Sequence, residues 1–244
     1  MNEILLFLSI KYYGDWLNIY NSLQKREPIP KEQFYDEIKK IKCDFTTIID
    51  EDYCDNLKTI YKPPFSIYHY GNYELTKNKS ISIIGDFDDL KQPYQDYFTN
   101  NNVVLIWSYQ SQKNIFKILT QMTKNNIFFS KDIVSQKYLK FLQKDDEILA
   151  KNMFMSEIWC RNKDHDYGNQ DDERLYCGIS KTILVVSKPP HKQWLSILAF
   201  AKKEGITINI LDNVYEENKK IFENIKNIQI IEFPQQIDQI LYKK

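Results

Sequence analysis

The chain has 244 residues, with 33 Lys+Arg balanced by 33 Asp+Glu and 43% apolar residues. That composition suits a soluble globular protein, excludes a disulfide-stapled miniprotein and a bulk-basic nucleic-acid binder, and leaves a chain long enough for a real core. No apolar run approaches the ~20 residues of a membrane span, and the first residues lack a basic flank and a small-residue cleavage site, so no membrane association and a cytoplasmic location are expected.

The first forty residues carry a helical apolar face from Ile4 to Leu23, interrupted near Gly14, then a break at Pro28 and Pro30 and a short helix over 31–42. FTTII (45–49) is short and β-branched, YCDNLKTI (53–60) suits a short helix, and FSIYHY (65–70) is extended. Apolar runs of strand length follow at 80–85, 102–107, 126–130, 152–157, 182–187, 206–211 and 228–233. Helix-length stretches separate most of them, at 111–124, 133–149, 191–204 and 214–226, with a last helix at 234–242 and a polar loop at 158–172. Strands with little polar alternation, separated by helices, predict an α/β protein: a Rossmann-like, mostly parallel sheet with helices on both faces. The expected division is a helical N-terminal region, 1–44, and a Rossmann-like domain, 45–244.

Glycine limits the chemistry. The six glycines (14, 71, 85, 168, 178 and 205) are too scattered for a GxGxxG dinucleotide loop or a P-loop, which need closely spaced residues without Cβ so that the backbone can wrap a phosphate. No GxSxG elbow occurs, and the four cysteines form no CxxC. No cofactor is expected. In a parallel sheet, ligands bind beyond the carboxyl ends of the strands. Those ends read Gly85-Asp86-Phe87-Asp88-Asp89, Ser108-Tyr109-Gln110-Ser111 and Lys188-Pro189-Pro190-His191-Lys192.

The segment FTTIIDEDYCDNLKTIYKPPFSIYHYGN resembles the lead-in of the DNA-processing protein A (DprA/Smf) family, "DxxYP..L..I..PP..Ly..Gn". Leu57, Ile60, Pro63, Pro64, Tyr68, Gly71 and Asn72 fit, whereas Tyr53-Cys54 stands for Tyr-Pro. Downstream, SISIIG resembles the first Rossmann strand "vaiVG", FMSE the "liSEyP" strand, and ERLYCGIS the "NRiIaglS" helix. TILVVS resembles "vlVVEA", and the order holds to residue 242. The resemblance implies a non-catalytic protein that binds single-stranded DNA, hands it to a RecA-type recombinase and acts as a homodimer. It implies nucleic-acid contacts at Gly85, Ser108, Tyr109, Lys113, Arg174, Lys188 and Lys192, with Trp194 as an aromatic neighbour, and no metal. The family's C-terminal winged-helix module is expected to be missing.

The departures bear on the chemistry. Asp86-Phe87 replaces the family's Ser-Arg, Tyr109-Gln110-Ser111 replaces a Gly-rich loop, and Asp172-Glu173-Arg174 replaces Arg-Asn-Arg. Each lost cation weakens phosphate binding and each acid opposes it, so a degraded phosphate pocket is expected. Competing readings are a degenerate scaffold acting through protein contacts, with Phe200, Ile221 and Phe222 as candidate dimer residues, and a Mg-dependent phosphohydrolase using Asp86 and Asp88. The latter motif is a poor match, since Gly85 separates it from the apolar strand. Cys160, His165, Cys177 and His191 have the chemistry of a zinc set but no standard spacing. Ordinary structural roles compete at each site: a tight turn at Gly85, a surface ion pair at Arg174, packing at Trp194.

Overall fold

The computed structural model describes residues 2–108, 118, 125–130, 146–160, 173–188 and 191–242. In chain order the strands are β1 (Asp44–Thr47), β2 (Ser66–Gly71), β3 (Ser80–Ile84), β4 (Val104–Ser108), β5 (Asn126–Phe129), β6 (Asn152–Ser156), β7 (Ile183–Val185), β8 (Ile208–Leu211) and β9 (Ile228–Ile231). The helices are α1 (Asn2–Lys11), α2 (Trp16–Gln24), α3 (Lys31–Ile38), α4 (Asp55–Lys58), α5 (Gln92–Asn100), α6 (Asp146–Lys151), α7 (Glu173–Ser180), α8 (His191–Glu204), α9 (Asp212–Glu217), α10 (Lys219–Phe222) and α11 (Gln236–Leu241). None is long and apolar enough to cross a membrane among the described residues. The chain forms two compact units, Met1–Tyr73 with Ser130–Gln170, and Glu74–Phe129 with Asp171–Lys244.

In the first unit, α1 buries Leu5, Leu6, Phe7 and Leu8 and stops at Gly14, whose φ of +74° suits glycine and whose N–H bonds the Ser9 carbonyl at 2.9 Å. Asp15 then caps α2 through Asn18 N at 2.9 Å. Phe7, Leu8 and Ile19 form a core cluster joined by Leu23, Ile29, Phe34 and Phe65. β1 and β6 flank β2, both antiparallel, with Phe45 opposite Tyr68 and Tyr68 opposite Ser156. These strands were not distinguishable in sequence from the parallel ones, because β6 is buried at every residue and shows no alternation.

In the second unit six strands run parallel in the order β5-β4-β3-β7-β8-β9. Counted along this unit, that is 3-2-1-4-5-6, the doubly wound Rossmann order. Every residue of β3, β5, β7 and β8 is buried, so both faces of the sheet are covered. Its polar members are bonded internally: Ser82 Oγ to Ser180 Oγ at 2.8 Å, Trp107 Nε1 to Asn126 Oδ1 at 3.1 Å, and Asn209 Nδ2 to the Ile183 carbonyl at 2.8 Å. The expected fold class is borne out.

Two local differences stand out. α5 was not anticipated; its polar composition hides a stripe of Tyr94, Tyr97 and Phe98, the i, i+3, i+4 pattern, behind Pro93 in the first turn. The expected helix at 214–226 is two short helices, because Asn218 leaves the helical region and turns its side chain back to the Val214 carbonyl at 3.0 Å. The expected helices at 111–124 and 133–149 lie outside the described residues, apart from Ile118 and the start of α6 at Asp146.

Candidate functional site at the strand ends of the second unit

The strand order reverses between β3 and β7, and there the two central strand ends come together. Gly85 follows β3 with φ +126°, a region side chains rarely adopt. A Cβ there would lie 2.3 Å from Ser187 Oγ and 2.8 Å from Ser187 N. Gly85 therefore permits a close approach of the segment after β7. Val186 N bonds the Ile84 carbonyl at 2.9 Å, and Asp86 N donates to Ser187 Oγ at 3.3 Å. Ser187, the last residue of TILVVS, braces this junction.

The residues after Gly85 close a turn on themselves. Asp86 is 6% exposed, and its carboxylate accepts Asp88 N at 3.0 Å, while Asp89 N bonds the Asp86 carbonyl at 3.1 Å. The chain's own carboxylate thus takes an amide that could otherwise meet a phosphate. Phe87, standing where the family has arginine, is 2% exposed and packs edge-on against Trp107 at 6.1 Å between centroids. Asp88 and Asp89 are exposed. A buried Asp86 engaged with backbone amide is poorly disposed as a nucleophile, and no group of three or more His, Cys, Asp or Glu side chains able to hold a metal occurs among the described residues.

Ser108 is half-buried at the end of β4, in register with Phe129 on β5. Arg174 is half-buried in the first turn of α7. Lys188 and Lys192 are exposed. Lys188 edges an apolar cavity of about 370 Å³ that includes Leu195, Leu198 and Ile221. Tyr109, Lys113, Asp172 and His165 lie outside the described residues. Trp194 is 5% exposed and packs edge-on against Phe222 at 5.3 Å, so packing, not base stacking, is its role in this structure. Phe200 and Phe222 are likewise buried, leaving Ile221 as the exposed member of that trio.

The lead-in motif has a structural task in the first unit. Tyr53 donates its hydroxyl to the Pro64 carbonyl at 2.7 Å, and Trp16 Nε1 donates to that of Pro63 at 3.0 Å. Gly71, at φ +94°, would place a Cβ 2.2 Å from the Asn152 carbonyl, and Asn72 Nδ2 donates to Ala150 at 2.9 Å. Leu57 and Ile60 are buried between these anchors. His69 is buried beside Tyr73, its Nε2 3.3 Å from Thr46 Oγ1, and desolvation lowers its pKa to about 4.

Set against known proteins, residues 44–89 match the sequence model of the family DNA recombination-mediator protein A. No curated protein sequence matches the chain. The crystal structure of DNA processing protein A from Streptococcus pneumoniae is similar over 98% of this chain and 93% of its own length, with a TM-score of 0.63 at 15% identity. DNA processing protein A from Helicobacter pylori, studied for its single-stranded DNA binding mode, is similar over 83% of this chain and 96% of its own, with a TM-score of 0.55 at 18% identity. At these identities the structural likeness establishes the shared fold. Together with the matched segment it bears out the resemblance read from the motifs.

Proposed function

We propose, from the premise that this chain is a divergent relative of the DNA recombination-mediator protein A (DprA/Smf) family, that it is a non-catalytic DNA-processing protein whose phosphate pocket has eroded. It binds single-stranded DNA weakly at the carboxyl edge of the parallel sheet, through Arg174, Lys188 and Lys192 together with Ser108, Tyr109 and Lys113. It acts as a homodimer and presents the strand to a RecA-type recombinase. The observation that carries this reading is the family's lead-in segment at residues 44–89 in a chain whose sheet has the doubly wound order. The weakness follows from the turn after β3: Phe87 lies in the core, and the Asp86 carboxylate holds a turn amide. That turn then contributes neither a cation nor a free pair of donors to a phosphate.

Fluorescence anisotropy with a single-stranded oligonucleotide at low and physiological salt tests the proposal. The expected Kd at physiological salt is weaker than micromolar, with a further loss at low salt on Arg174→Ala. Binding tighter than micromolar that Arg174→Ala abolishes would show that the pocket is intact. An absence of binding even at low salt would remove the nucleic-acid role. A second reading, a scaffold acting only through protein contacts, would then stand; the self-satisfied Asp86 turn and the buried Phe87 favour it.

A further inference from the structure

The first unit contains a cleft of about 1250 Å³, between α1, α3 and the segment Ile158–Cys160 that follows β6. Phe7 and Ile158 are buried in its lining, Tyr13 and Trp159 are half-buried, and Lys11, Lys39 and Lys40 stand exposed with Asp36. Its volume exceeds the ~300–1,000 Å³ usual for a compact small-molecule pocket, which suits an extended occupant. Trp159 lies 6.1 Å from Tyr68 at an interplanar angle of 46°, so Tyr68 does not stack on its face. The Trp159 indole N–H has no hydrogen-bond partner among the described residues, and Lys39 has no ion pair among them. Lys40 pairs with Glu37 at 2.5 Å and Lys11 with Glu27, both on the surface, where such pairs are weak and exchange readily for another anion.

An indole and an unpaired cation lining one cleft suit a ligand with a π-face and a negative charge. Base–aromatic stacking is sequence-tolerant, and only an unpaired base offers its face. We propose that this cleft binds a base-bearing phosphate, either the unpaired end of a nucleic-acid strand or a free nucleotide. The base lies on Trp159, and the phosphates meet Lys39 and, by exchange of partners, Lys40 and Lys11. Asp36 and Glu37 keep the net positive charge small, so affinity is modest. This goes beyond the strand-edge site of the second unit and uses none of its residues; it rests on the nucleic-acid reading only for the source of the ligand.

Tryptophan fluorescence of the full chain tests it, with a short oligothymidylate and thymidine monophosphate as separate probes. Quenching is expected that disappears in Trp159→Phe and needs about tenfold more ligand in Lys39→Glu at low salt. Arg174→Ala should leave that quenching unchanged, which separates this site from the one above: the Arg174-dependent part of oligonucleotide binding reports on the strand edge, Trp159-dependent quenching on the cleft. Quenching by the oligonucleotide alone identifies a strand as the ligand, and equal quenching by the monophosphate identifies a free nucleotide. No Trp159-dependent quenching with either probe, or identical titrations for the native chain and the exposed-site variant Lys39→Glu, overturns the proposal.

Discussion

Single atoms decide what the β3 turn can do. Gly85→Ala would set a methyl group 2.3 Å from Ser187 Oγ in a backbone region that alanine resists. A loss of roughly 2–4 kcal/mol is expected in urea unfolding. Adding Ser187→Ala should restore only part of it, since the Ser187 amide at 2.8 Å remains. Asp86→Ala removes the acceptor for Asp88 N and should cost about 1 kcal/mol, whereas Asp86→Asn keeps the acceptor and should cost less. His69 titrates near pH 4 when folded and near 6.5 when unfolded. Between these values the unfolded chain binds the extra proton, so stability is full above pH 6.5 and falls as pH drops towards 4, by about 3 kcal/mol at most. Unfolding midpoints at pH 7.5 and 5 should converge in His69→Gln relative to the native chain. The glycine position was legible in the sequence; its cause was not, because Ser187 is distant in sequence and no spacing rule links it to Gly85.

At the scale of elements, apolar runs located the strands well because burial on both faces leaves few polar interruptions. The pairing direction was not legible: β2 and β6 look like parallel strands in sequence yet run antiparallel. α5 escaped because three aromatic residues among polar neighbours gave too weak a period, and its anchoring is tertiary, through Tyr97 to Asp238 at 2.6 Å and Tyr94 to the Ile231 carbonyl at 3.2 Å. The lead-in segment was the most readable of all, yet its residues are structural. Tyr53→Phe should cost about 1–2 kcal/mol by leaving the buried Pro64 carbonyl unpartnered. Oligonucleotide affinity, measured where the variant remains folded, should not change. A fall in affinity would mean that the Tyr53 anchor also shapes the ligand site.

For the whole molecule, zero net charge supplies no net long-range attraction for a polyanion, so the proposed binding rests on local contacts. With Arg174, Lys188 and Lys192 as the described cations of the strand edge, the slope of log affinity against log salt should be shallow, about −2, at roughly −0.7 per phosphate contact on a single strand. A slope of −5 or steeper in an anisotropy series would indicate a basic surface much larger than these three residues. Fold class followed from periodicity because it depends on pattern alone, whereas the state of the pocket depends on which atoms already satisfy one another.

The two compact units are interleaved along the polypeptide: 1–73 joins 130–170, and 74–129 joins 171–244. No uninterrupted fragment therefore contains either one whole without part of the other. A truncation that starts at residue 74 carries a foreign middle insert, and one that stops at 129 leaves β2 without β6 and β3 without β7. Isolating the second unit calls for removal of 1–73 together with excision of 130–170 and religation of its flanks, not for trimming from an end alone.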